Sequence, residues 1–155
     1  MAAPTPFSRR MLRGWRGALA AAVLAAAPAA AQDDVRSVVG EPVLALAQRP
    51  EMTTGLRFNS GGHRGVLAAR LRDPGPPVAI AGDRYLYGWG CRAEGCRVGG
   101  AFLAYDIQDD RMYLILTENG AVRLSVPPDP RAWPEALRPP IQGFIPALAE
   151  IIGPR

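Results

Sequence analysis

The clearest pattern in the chain lies between residues 78 and 126, where short apolar runs alternate with turn signals. Residues 78–81 are a brief apolar segment ahead of Gly82-Asp83. Residues 84–89 are rich in aromatics. Residues 100–107 and 112–117 are apolar on both alternating faces, apart from Tyr113. Gln108-Asp109-Asp110 separates these two runs, and Glu118-Asn119-Gly120 predicts a tight hairpin before residues 121–126. Runs apolar on both faces predict a meander covered on both sides, by helices on one and by a loop or partner on the other.

The flanks carry helical signals. Residues 37–48 read as a helix, with Pro42 at an early position and an apolar stripe of Val43, Leu44, Leu46 and Ala47. Arg49-Pro50 is expected to end it. Residues 53–63, rich in Gly, Asn and Ser, read as a loop, and residues 65–72 as helix or irregular structure. Residues 73–77 break the chain with three prolines. Beyond the rigid segment 127–130, a short helix is expected over 132–137 with Trp133 turned inward. Pro139-Pro140 should stop it, and a terminal helix should run over 146–152. The fold class is therefore α+β: an antiparallel sheet of about five strands with helices packed on it and one short-loop disulfide.

The N-terminus changes the charge argument. Residues 1–31 read as a secretory signal peptide, with Arg9, Arg10, Arg13 and Arg16 before an apolar run and Ala29-Ala30-Ala31 at the cleavage point. That run falls short of the ~20 residues a membrane span needs. Ser8-Arg9-Arg10 resembles a twin-arginine signal, but Arg13 follows too soon for a good match, so the export route stays open between twin-arginine and general secretion. No cysteine stands at the cleavage point, which argues against lipid anchoring. All 18 basic residues are arginine; four precede Ala31, leaving 14 against 14 acidic residues, a net charge of zero after cleavage. The precursor's basic pI thus gives no support to nucleic-acid binding, which needs surplus cations. Residues 32–155 suit a single domain, expected to be exported and free of the membrane.

Few residues suggest chemistry. His63 stands in a Gly-rich stretch without a partner nucleophile and reads as a surface residue. Asp33-Asp34 and Asp109-Asp110 lie in a tail and a turn, where adjacent carboxylates face water. No nucleophile–base pair can be named, so the chain reads as a non-enzyme. The two cysteines, Cys91 and Cys96, lack Cys-x-x-Cys redox spacing, and with one distant His they fall short of a four-ligand zinc site. No metal or other cofactor is implied. In an exported chain the pair reads as a structural disulfide, and its loop as either a closed turn or a binding tip.

The order of these features resembles the Ivy family, exported bacterial inhibitors of vertebrate (C-type) lysozyme. An aromatic-rich strand leads into Cys-x-x-x-x-Cys, then a covered meander, then a helical tail. The likeness runs roughly from residue 37 to the C-terminus and is sharp over 82–116. Cys91-Arg92-Ala93-Glu94-Gly95-Cys96 aligns with the family's Cys-Lys-Pro-His-Asp-Cys loop, which enters the lysozyme cleft. The resemblance implies that Arg92, Ala93, Glu94 and Gly95 form an inhibitory loop plugging the cleft of a C-type lysozyme or of the cell's own lytic transglycosylase. It also implies, by analogy alone, a homodimer. Arg92 keeps the family's cation, but Glu94 replaces the His that meets the catalytic carboxylates. That change leaves a second reading open: a non-inhibitory periplasmic binding or structural protein on the same fold.

Overall fold

Apolar alternation across residues 79–126 produces five strands joined as consecutive antiparallel neighbours. A computed structural model describes residues 34–152. It shows β1 (Ala79–Ala81), β2 (Tyr85–Cys91), β3 (Gly99–Asp106), β4 (Arg111–Glu118) and β5 (Ala121–Val126), in the spatial order β1-β2-β3-β4-β5. Asn119 and Gly120 both have positive φ, at 53° and 80°, the conformation a two-residue hairpin turn requires. Every residue of β3 is buried, as is most of β4.

Helices cover both faces, which corrects the expectation of helices on only one. On the first face Leu86, Ala101, Leu103, Leu114 and Leu116 pack beneath three helices, α1 (Val43–Ala47), α2 (Pro50–Asn59) and α3 (Arg64–Arg70). On the second, Phe102, Ala104, Tyr113 and Ile115 meet Trp133, α4 (Arg138–Phe144) and α5 (Pro146–Ala149). Trp133 is buried, as expected, and its indole N–H donates to the Pro127 carbonyl at 3.1 Å.

Several helix limits differ from the sequence reading. Residues 37–48 form a 3-10 turn, Val35–Val38, followed by α1. Pro50 does not end a helix; it starts α2, where its missing N–H costs nothing. Residues 53–59, expected as loop, belong to this helix because Met52 and Leu56 bury its inner side. The alternative left open for residues 65–72 resolves as α3. Pro139 and Pro140 lie at the start of α4 instead of breaking a helix, and the stretch 132–137 holds only 3-10 turns. The signal-peptide reading of residues 1–31 lies outside the described residues.

The first-face helices approach β2 closely because it carries glycine where they cross. A Cβ at Gly88 would lie 3.1 Å from Val43 Cβ, and one at Gly90 would lie 2.3 Å from the Arg70 carbonyl oxygen. Side chains there would push α1 and the end of α3 away from the strand that leads into the cysteine loop.

Candidate functional site

The second face of β2 carries Tyr87, Trp89 and Cys91 in line, and this row forms the root of the cysteine loop. Trp89 stacks on Tyr87 and Phe102 at centroid distances of 6.2 Å in each case, and meets Phe144 at 6.3 Å. Such contacts add about 0.5–1.5 kcal/mol each beyond area burial. Gly143 lets α4 reach the indole, since a Cβ there would come within 3.0 Å of it.

Cys91 and Cys96 are joined by a disulfide, with Cα atoms 4.6 Å apart. Both are half-buried, whereas Arg92, Ala93 and Glu94 are exposed. Inside the ring the Gly95 N–H donates to the Arg92 carbonyl at 2.9 Å, and Gly95 takes a φ of 108° that favours glycine. Arg92 Nε lies 3.5 Å from Glu94 Oε2, so the ring's cation and anion face each other.

The ring is tied to the sheet at several points. The Arg92 N–H donates to the Gly99 carbonyl at 2.9 Å. The Thr117 hydroxyl donates to the Cys96 carbonyl and lies 3.2 Å from that of Gly100. The turn between β4 and β5 reaches across as well: the Asn119 N–H donates to the Val98 carbonyl at 2.8 Å and the Gly120 N–H to that of Arg97 at 3.1 Å. Gly100 allows the ring to fold back, because a Cβ there would fall 2.9 Å from both the Cys96 carbonyl oxygen and Phe144 Cε2. Nothing in the local pattern marks Thr117 as part of the site. For Gly99 and Gly100, a glycine pair opening an otherwise apolar strand was the available signal, since glycine inside a strand marks close approach.

The other candidates lie elsewhere. His63 stands just before α3, half-buried, and its side chain makes no capping bond. Asp109 and Asp110 belong to the turn at the far end of β3. There Arg84 clamps the buried Asp106 at 2.7 and 2.6 Å and also pairs with Asp109. The guanidinium holds the Asp106 carboxyl below its ordinary value despite burial, helped by the N–H groups of Gln108 and Asp109. Asp110 accepts a hydrogen bond from the Tyr105 hydroxyl at 2.7 Å; burial and that bond raise the phenol's pKa. These carboxylates hold a turn together. Among the described residues no three His, Cys, Asp or Glu side chains gather where a metal could sit.

The described residues thus form a five-stranded sheet covered by helices on both faces, with a disulfide-closed, exposed ring at one end. Residues 51–147 match the family model described as Inhibitor of vertebrate lysozyme (Ivy), a span of more than half the chain. The chain belongs to the Ivy family. No curated protein and no solved structure matches it significantly.

Proposed function

We propose that the protein is an exported, non-catalytic inhibitor of lysozyme-type muramidases that acts in the periplasm after removal of residues 1–31. Its target is a C-type lysozyme or an endogenous lytic transglycosylase. The ring closed by Cys91 and Cys96 enters the enzyme cleft, with Arg92, Ala93, Glu94 and Gly95 as its contact residues. The observation that carries this reading is the exposed, disulfide-closed ring at the end of a rigid sheet, in a chain of a family named for lysozyme inhibition.

A second reading is a periplasmic binder that does not inhibit. It is favoured by Glu94, which brings a carboxylate where the resembled loop brings a His. At 4 Å and an effective dielectric near 20, two like charges repel by about 4 kcal/mol. Pairing of Glu94 with Arg92 offsets part of this within the ring, so inhibition is expected to be weak but present.

Titration of the purified protein against C-type lysozyme and a lytic transglycosylase in a cell-wall lysis assay tests the choice. Stoichiometric slowing of lysis that disappears when residues 92–95 are replaced by a Gly-Ser linker supports the plug. Binding without slowing, or no binding to either enzyme, overturns the plug and leaves the second reading, a non-inhibitory binding or structural protein.

A further inference from the structure

The ring is not the whole of the surface at this end of the sheet. Arg97 follows Cys96 directly, is exposed, and has no ion pair or side-chain hydrogen bond among the described residues. Its backbone is held by the Gly120 N–H. Its side chain lines a pocket of about 480 Å³ together with Thr117, Val122, Phe144, Ala147 and Leu148. Val98 and Val122, exposed at 37% and 45%, extend the apolar surface around it. A lone guanidinium on a fixed backbone beside an open apolar pocket is a recognition arrangement: the charge selects an anion and the pocket takes an apolar neighbour.

Resting on the muramidase reading above, we propose that Arg97 and this pocket form a second contact with the same enzyme. The guanidinium takes a carboxylate of the cleft, and the pocket receives an apolar side chain from the cleft rim. Hydrolysis of a glycosidic bond in cell-wall polysaccharide uses carboxyl groups flanking that bond, so the target carries anions in its cleft. The ring's own cation is engaged: Arg92 faces Glu94 at 3.5 Å. Arg97 is a neighbouring cation without an ion pair among the described residues, and it can meet the target's carboxylates alongside the ring. It thereby supplies the attraction that a His in place of Glu94 would otherwise bring. Bidentate geometry suits an arginine for this role, and a preset backbone places it without loop rearrangement.

The test uses protein recovered from the periplasm after expression of the full chain. Binding to C-type lysozyme and to a lytic transglycosylase is measured by calorimetry at low and high salt. Arg97→Ala is expected to weaken binding about tenfold and to flatten its salt dependence, and Arg97→Glu to weaken it about a hundredfold. Ala147→Trp fills the pocket from an exposed position and is expected to weaken binding about tenfold while the salt dependence stays. Arg57→Ala, which removes a cation from α2 on the opposite face, leaves binding unchanged. Thermal melting and thiol titration of each variant confirm that the fold and the disulfide persist; where one variant fails to fold, the other decides. Wild-type affinity in both Arg97→Ala and Ala147→Trp overturns this inference and leaves the plug standing. If Ala147→Trp alters self-association and not muramidase binding, the pocket serves a second copy of the chain, and the inference is again overturned. Absence of any muramidase binding by the unsubstituted protein overturns the functional reading itself, and this contact with it.

Discussion

The Thr117 hydroxyl, buried on β4, donates its hydrogen bond to the carbonyl of Cys96, at the closing end of the ring. One side chain in the sheet thus adds to the backbone bonds that set where the loop sits. Thr117→Val keeps the volume and removes the donor, leaving that carbonyl unsatisfied. Destabilisation of about 1–2 kcal/mol is expected in urea unfolding. A larger fractional loss of muramidase binding than of stability would show that ring placement is what the hydroxyl secures.

Gly100 and Gly65 should respond in opposite directions to alanine. At Gly100 the new methyl meets the Cys96 backbone and the Phe144 ring, so overpacking should cost about 1–3 kcal/mol. At Gly65, in α3, the methyl meets nothing within 4 Å, and a gain of about 0.4–1 kcal/mol is expected from a less flexible unfolded chain. Thermal midpoints of the two variants check the pair. Equal shifts would contradict the close packing described for the ring.

Breaking the ring should separate stability from function. The double substitution Cys91→Ser and Cys96→Ser removes a loop closure worth about 2 kcal/mol. The two helix-covered faces of the sheet remain, so a folded domain with a lower midpoint is expected, together with loss of inhibition. Circular dichroism and the lysis assay read the two effects. Full inhibition by the opened variant would rule out the ring as the plug.

Glu94→His should tighten binding to C-type lysozyme. The gain has an upper bound of about a thousandfold, set by the ~4 kcal/mol repulsion at 4 Å, and the existing pairing with Arg92 reduces it. Unchanged affinity in calorimetry would mean that residue 94 does not approach the enzyme's carboxylates.

Acid sensitivity should trace to the far end of the sheet. Asp106 has a folded pKa below its ordinary value near 3.8, chiefly because Arg84 hydrogen-bonds to it. A depressed carboxyl contributes stability that is complete above the unfolded value. That contribution is lost as pH falls through the lower folded value. Asp106→Asn should therefore be less stable than the unsubstituted protein at neutral pH, with the difference shrinking below about pH 4. Denaturant midpoints across that range give the check; a constant difference would refute the assignment.

The sequence made the sheet legible because its signals are local. Apolar runs of strand length and the Asn119-Gly120 turn identify the last four strands to within two residues at either end. The helices were harder, for two physical reasons. The stretch 53–59 has few apolar residues, and α2 forms because Met52 and Leu56 find the sheet, a contact no local pattern displays. The prolines at 50, 139 and 140 break helices when internal but start them at the first turn, and only the tertiary course tells which applies. At the site, the cysteine pair and its exposed interior were readable. The bracing by Thr117 and the pocket beside Arg97 were not, since they join residues from β4, β5, α4 and α5 that lie 20 or more positions away along the chain.

The hydrogen bonds that Asn119 and Gly120 send to Val98 and Arg97 have a kinetic consequence. A loop lashed to a neighbouring hairpin has already surrendered much of its conformational entropy during folding. Little remains to be lost on docking, so encounters with a target need not wait for the loop to order itself. Association should then be governed by diffusion and charge, and changes at the contact residues should appear mainly as faster release.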